Sequence, residues 1–316
     1  MIVVTGGAGF IGSHLVSKLN AMGHQDIIVV DNLKNSQKNN NLIKDKISAY
    51  IDKSDFIRAI EEREKICEDI DFMFHQGACT VTTERNVEYM MSNNYMYSKT
   101  LLDFCTEREI PFIYASSAAI YGLSSNFTEE EKNEEPINIY GQSKWMFDQY
   151  VRDLKIRKIL KSQVVGLRYF NVYGPHETHK KSMASVIYHF NNQINDMGNL
   201  NLFSASGGYK NGEQRRDFIY VDDVVKTNVW MMNNRNISGI YNVGTGKSNS
   251  FNDIANTIIK RRKKGKINYI PFPKEIEKNY QSFTEANLTK LRSIGYNTEF
   301  ISVDKGVNLY LDELLN

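Results

Sequence analysis

Three glycines, Gly6, Gly9 and Gly12, follow the short apolar run Ile2-Val3-Val4. A β-branched run of this kind suits a strand buried in a parallel sheet. A turn rich in glycine then lets the chain reverse tightly and approach a phosphate with no Cβ in the way, and lets the next helix pack close to the strand. The apolar pattern from about Phe10 to Met22 supplies that helix, whose N–H groups and positive dipole end face an anion. A second strand, Asp26–Val30, leads into Asp31, 19 residues after Gly12, a place where an acidic side chain can bind a ribose hydroxyl. Strand, glycine turn, helix, strand and acid in this order predict a dinucleotide-binding unit rather than an ordinary glycine-rich turn.

The pattern continues along the chain. Strand-like runs recur near residues 2–5, 27–30, 71–74, 111–114 and 163–168, with helix-like segments between them. Alternation of this kind predicts an α/β fold, a Rossmann-type doubly wound parallel sheet. After about Asn171 the pattern is less regular, with a helix near Asp222–Met232, a strand Ile240–Val243, a helix Phe251–Arg262 and a strand Ile267–Ile270. We therefore expect a dinucleotide-binding domain over 1–171, joined by later segments near 217–245, and a smaller C-terminal substrate lobe over 172–316. The polar stretch Asn32–Asn41 reads as a loop. The basic run Arg261–Lys266 falls where a helix should end, where cations suit the dipole.

Composition narrows the partners. A net charge of +2 over 316 residues gives no bulk reason to expect nucleic acid or an anionic membrane. Cys67, Cys79 and Cys105 form no Cys-x-x-Cys, so free thiols in a reducing compartment and no metal site are expected. Met1 leads directly into a core strand, which argues against a secretory leader. No apolar run approaches the ~18 residues that span a bilayer. The expectation is a cytoplasmic enzyme acting on a small molecule.

The chemistry comes from Ser117, Tyr140 and Lys144. Tyr140 and Lys144 are four residues apart and share a helix face. A tyrosine titrates near ~10 and is a poor base at neutral pH. A nearby ammonium and a cationic nicotinamide both favour the phenolate. Such a tyrosine can take the proton of a substrate alcohol as hydride leaves the carbon. Ser117, just after the strand Pro111–Tyr114, sits at the carboxyl edge of the expected sheet, where its hydroxyl can hold the substrate oxygen.

Thr5-Gly6-Gly7-Ala8-Gly9-Phe10-Ile11-Gly12, with Ser117 and the Tyr140/Lys144 pair, resembles the extended branch of the short-chain dehydrogenase/reductase superfamily. Further stretches carry a closer likeness: Phe74–Thr80, Tyr89–Tyr97, Arg168–Pro175, His179–Val186, Arg216–Val221, Tyr269–Pro273 and Tyr280–Thr284. Together these resemble the ADP-L-glycero-D-manno-heptose 6-epimerases, from Met1 almost to the C-terminus. The resemblance implies oxidation at C6 of the heptose to a ketone and return of the hydride on the other face, within precursor synthesis for the lipopolysaccharide core. It implies Tyr140 as acid/base, Lys144 as its activator and nicotinamide-ribose ligand, Ser117 as hydroxyl partner and Lys180 as a second base. It implies cofactor contacts at Gly6, Gly9, Phe10, Ile11, Gly12, Asp31, Asn32, Lys38, Lys53, Gln76, Gly77, Ala78, Cys79, Thr80, Asn93, Lys144, Val172 and Lys180. Substrate contacts are implied at Ser117, Asn171, Ser182, His189, Phe203, Ser204, Ala205, Ser206, Arg216 and Tyr280. A homo-oligomer, a pentamer, is implied as well.

This chain departs from the family pattern in three places. Lys181 stands where a small residue is usual, which leaves Lys180 and Lys181 both open as the base. The loop Gly207–Gln214 is long, which leaves Arg215 and Arg216 open as the diphosphate ligand. Gln76 replaces an acidic residue. The residues also leave the dinucleotide open, because Asp31 repels a 2′-phosphate while Lys34, Lys38 and Lys53 attract it; the resemblance implies NADP, tightly held. The competing readings are another extended-branch 4-epimerase or dehydratase, and a dinucleotide sensor without catalysis. Ala118-Ala119 after Ser117 offers no acid for a dehydratase, and intact Ser117, Tyr140 and Lys144 disfavour a sensor.

Overall fold

The computed structural model of the chain describes residues 1–34, 36–277 and 280–315. In chain order the main elements are β1 (Ile2–Thr5), α1 (Phe10–Ala21), β2 (Ile27–Asp31), β3 (Ala49–Asp52), α2 (Lys53–Glu61), β4 (Phe72–His75), α3 (Val87–Met90), α4 (Tyr97–Glu107), β5 (Phe112–Ser117), α5 (Ile139–Ile156), β6 (Val164–Tyr169), β7 (Asn171–Tyr173), α6 (Val186–Met197), β8 (Asn199–Phe203), β9 (Arg215–Tyr220), α7 (Val221–Asn233), β10 (Gly239–Val243), β11 (Ser248–Ser250), α8 (Phe251–Arg262), β12 (Lys266–Ile270), α9 (Lys274–Glu277), α10 (Thr289–Ser293) and α11 (Val303–Leu315). They divide into two compact units. One holds Met1–Ile120, Asn138–Arg168 and Val225–Tyr241; the other holds Tyr121–Ile137, Tyr169–Val224 and Asn242–Asn316.

The first unit is built on a seven-stranded sheet in the order β10-β6-β5-β4-β1-β2-β3. β1 pairs in parallel with β2 and β4, β2 with β3, and β4 with β5. Strand order reverses at β1, with β2 on one side and β4 on the other, which places the switch point of a doubly wound sheet directly beyond the glycine turn. β1, β2 and β4 are buried throughout, as continuous apolar strands covered on both faces must be. Val3, Ile28, Met73, Phe112, Phe147 and Val164 belong to one core cluster with the covering helices.

Two expectations in this unit need correction. The edge strand β3 was not signalled: Ala49-Tyr50-Ile51-Asp52 is only half-buried, so no apolar run marks it. The stretch expected as a loop contains a 3-10 helix, Ser36–Leu42, held by Asn41, whose side-chain amide donates to the Ala8 carbonyl at 3.0 Å. Asn35 in that stretch lies outside the described residues.

The second unit contains a three-stranded sheet, β11-β9-β7, and the parallel pair β8–β12. Its core gathers Tyr173, Ile187, Phe190, Leu202, Phe218, Ile254 and Val307 from strands and from α6, α8 and α11. α8 starts in a Ser250/Asp253 capping box and ends at Lys263 in the left-handed region, so Arg261 and Arg262 do lie in a last helical turn. Arg261 pairs there with Asp312 of α11.

Candidate active site

The glycine turn is shaped by close backbone approach. Gly6 has φ +66°, and a Cβ on it would lie 2.6 Å from the Gly77 Cα. A Cβ on Gly12 would lie 2.1 Å from the Gly6 carbonyl oxygen. The two βα turns at the switch point, after β1 and after β4, therefore touch through atoms that only glycine leaves room for. Gly9 precedes α1 in the capping position and offers no side-chain cap, which suits a helix start facing a phosphate. This cradle fits a dinucleotide pyrophosphate.

Asp31, the residue expected at the ribose end, ends β2. It is buried, and its carboxylate accepts from the Ala8 N–H at 3.1 Å, the Asn32 N–H at 2.7 Å and the Lys38 ammonium at 3.0 Å. Lys38 thus reaches the expected place, but as the partner of Asp31. Lys53 donates to the Asn93 side chain, and Asn93 donates to the Tyr89 carbonyl at 2.8 Å. Gln76 donates to Asn228 at 3.1 Å. The Cys79 backbone is clamped on both sides by the Asn94 amide, at 2.8 and 3.0 Å. Asn94, in the π-helical turn Met91–Met96, also donates to Ser143 of α5 at 3.1 Å, so it joins the segment Gln76–Thr80 to the helix that carries Tyr140 and Lys144. Sequence reasoning missed it; a π-turn has no simple apolar period.

Ser117 is the last residue of β5 rather than a residue after it: the strand runs on from Tyr114 through Ala115-Ser116-Ser117. Tyr140 stands in the first turn of α5, which Asn138 caps by accepting from the Gly141 N–H at 2.7 Å. The Tyr140 phenol is hydrogen-bonded to the Ser117 side chain. Burial pushes the phenol above its usual range and outweighs the Ser117 bond, which acts downward. The expected lowering by a neighbouring ammonium is not what this structure holds. The Lys144 ammonium instead donates to the Ala115 carbonyl at 2.7 Å, and burial brings its pKa down to about 8.

The other expected residues belong to the second unit. Asn171 and Val172 lie on β7, which pairs in parallel with β9. Lys180 and Ser182 lie in the 3-10 turn Thr178–Met183. Lys180 stands 4.0 Å from the buried Glu177 carboxylate; burial lowers its pKa and Glu177 raises it. Lys181 is exposed and holds φ 51°, ψ −123°, a conformation suited to glycine. Arg215 is committed to Ser248, donating to its hydroxyl at 3.1 Å and its carbonyl at 2.6 Å. Arg216 is buried and lies 4.8 Å over the Tyr280 ring. Phe272 packs against both Phe203 and Tyr280, each at 4.9 Å. Ser204 donates its N–H to Ile270, Ala205 to Asn211, and Ser206 its hydroxyl to Glu277. His189 packs edge-on against Tyr188. A buried guanidinium beside aromatic rings is a combination that suits a nucleoside diphosphate.

No group of side chains among the described residues could hold a metal ion, and no helix among them is long and apolar enough to cross a membrane.

Comparison with known proteins agrees with this geometry. The model of the NAD dependent epimerase/dehydratase family matches residues 2–244. An ADP-L-glycero-D-manno-heptose-6-epimerase of Alkalilimnicola ehrlichii is 51% identical over 312 residues, 99% of this chain and 97% of the relative. The crystal structure of the Helicobacter pylori ADP-L-glycero-D-manno-heptose-6-epimerase superposes with TM-score 0.84 at 31% identity, covering 99% of this chain and 96% of that one. The Thermus thermophilus UDP-glucose 4-epimerase in complex with NAD superposes with TM-score 0.79 at 26% identity, covering 100% and 99%.

Proposed function

The chain belongs to the NAD dependent epimerase/dehydratase family, and from that premise we propose that it interconverts ADP-D-glycero-β-D-manno-heptose and ADP-L-glycero-β-D-manno-heptose. The observation that carries the reading is 51% identity over 99% of the chain to a heptose 6-epimerase, with Ser117, Tyr140 and Lys144 all present and Ser117 bonded to Tyr140. A bound nicotinamide dinucleotide would supply reversible hydride transfer at the sugar carbon, with no net redox. Gly6, Gly9, Gly12 and Gly77 leave room for its pyrophosphate, and Asp31, Asn32, Lys38, Lys53 and Asn93 are assigned to its adenosine side.

The residues divide the proton work. Tyr140 exchanges a proton with the substrate hydroxyl through its phenol oxygen. Ser117 holds the same oxygen and steadies the phenol. The Lys144 cation favours the phenolate when Tyr140 gives up its proton. Epimerisation exposes opposite faces of one carbon, and Lys180 is assigned to the second face. Of the two lysines, Lys180 is the half-buried one beside Glu177, whereas Lys181 is exposed. Arg216 is assigned to the diphosphate, since Arg215 is spent on Ser248.

We assign the finer properties the same way. NADP is the preferred dinucleotide, and Lys38, paired with Asp31 in this structure, is the residue that would hold its 2′-phosphate. The first unit is the dinucleotide-binding domain and the second the substrate lobe. The enzyme works in the cytoplasm as a homo-oligomer, a pentamer, in lipopolysaccharide core precursor synthesis. The decisive test incubates the protein with ADP-D-glycero-β-D-manno-heptose and resolves the two C6 epimers. Interconversion is expected. Turnover of UDP-glucose with none of the heptose would replace this reading by a 4-epimerase.

A further inference from the structure

We propose that Asp148 is a positioning residue of this reaction: its carboxylate ties the strand ending in Ser117 to the helix carrying Tyr140 and Lys144, and sets a fixed negative charge one helical turn beyond the Lys144 ammonium. The role rests on the reading of Ser117, Tyr140 and Lys144 given above.

Tyr140, Lys144 and Asp148 recur every four residues and share one face of α5. Asp148 is fully buried. One carboxylate oxygen accepts from the Tyr114 hydroxyl at 2.8 Å. The other accepts from the Ser116 hydroxyl at 3.0 Å and from Arg168 at 2.9 and 2.8 Å. Tyr114 and Ser116 point to one face of β5, while Ala115, between them, takes the Lys144 ammonium on its carbonyl. α5 is therefore fastened to the last four residues of β5 at two successive helical turns, and Ser117 and Tyr140 meet at the end of that fastening. Tyr114 reaches Asp148 only because residue 166 on β6 is glycine; a Cβ there would lie 2.5 Å from the Tyr114 hydroxyl.

A buried ion pair is weak evidence for stability, because apolar residues of similar volume often serve as well. Its position gives this one a second consequence. Burial drives Lys144 toward the neutral amine, and the Asp148 carboxylate opposes that. Among the described residues, Tyr114 from β5, Arg168 from β6 and His75 from β4 face the pair, Arg152 of α5 acts on Tyr114, and Tyr140 lies one turn before Lys144 on the same helix face. His75 is held neutral by burial and by the Lys144 charge. Arg168 is a cation, so removing Asp148 leaves nothing in this set that favours the ammonium.

Asp148→Asn keeps the shape and an acceptor oxygen but loses the charge. In the holoenzyme, the Lys144 Cε resonance, followed by ¹³C NMR, should titrate about one pH unit lower than in the wild type. With KM little changed, kcat should fall about twofold at pH 7 and up to about tenfold on the alkaline side, where the limb of the pH profile moves down with the lysine. Asp148→Asn strands Arg168 without a counter-charge and can prevent folding. Asp148→Asn with Arg168→Met removes both charges, and the Lys144 midpoint should again lie below the wild type. An unchanged Lys144 midpoint and alkaline limb in the folded variant overturn the proposal and leave Asp148 a structural residue. The NMR titration needs no substrate. A shifted midpoint in a protein without heptose epimerase activity would therefore uphold the positioning role and refute the substrate.

Discussion

At Lys144 two effects of opposite sign meet. Burial favours the neutral amine, Asp148 favours the ammonium, and burial wins in part, leaving a pKa of about 8 against 10.5 for an ordinary lysine. The folded state then binds fewer protons than the unfolded one between those values, so this residue makes stability rise as pH rises through that window, and its burial costs most below it. Activity should run the other way. If the ammonium supports Tyr140, kcat/KM of the free enzyme falls above about pH 8, and a pH–rate profile without that alkaline limb would separate Lys144 from the chemistry. Tyr140→Phe and Lys180→Ala should each lower epimerisation by roughly 10²–10⁴-fold while leaving the fold intact, as loss of a proton-transfer group does. Lys181→Ala is the control: a dead Lys181 variant beside an active Lys180 variant would reverse their assignment. Lys181→Gly should instead stabilise the protein by about 1 kcal/mol, measured by denaturant unfolding, because it relieves a backbone conformation that lysine tolerates poorly.

At the scale of elements, the turn after β1 and the start of α5 carry the candidate site. Gly12→Ala puts a methyl 2.1 Å from the Gly6 carbonyl, an atom that cannot move without moving the turn. It should destabilise by roughly 1–3 kcal/mol and abolish dinucleotide binding; calorimetric titration with unimpaired affinity would contradict the cradle. Asn138→Ala removes the cap of α5 and should cost about 1 kcal/mol by the same denaturant measurement, with a loss of kcat because Tyr140 sits in that first turn. The glycine turn was legible from the chain because three glycines at fixed spacing have few other uses. The π-turn Met91–Met96 and the edge strand β3 were not, since neither carries a hydrophobic period of its own.

For the whole molecule, the dinucleotide should act as a folding ligand. NADP at a hundredfold excess over its dissociation constant should raise unfolding free energy by about 2.7 kcal/mol, and NAD at the same concentration by less. Lys38→Ala should narrow that difference, and equal stabilisation of the wild type by both would contradict the NADP assignment. The sequence alone determined the Rossmann architecture and the tight glycine turn, and it singled out Ser117, Tyr140 and Lys144 as the candidates that the proposed chemistry uses. These depend on local chemistry, namely glycine conformation, strand and helix periods and a four-residue spacing, and local chemistry is written in consecutive residues. Only the tertiary structure decided what each charged group faces. It paired Lys38 with Asp31, turned Lys144 to the Ala115 carbonyl, spent Arg215 on Ser248 and left Arg216 against Tyr280. It also buried Asp148 against Arg168, 20 residues away in the chain. A charge is stabilised or penalised by whatever lies within a few ångströms, and those neighbours arrive from other strands and helices, at separations that no reading along the chain can rank.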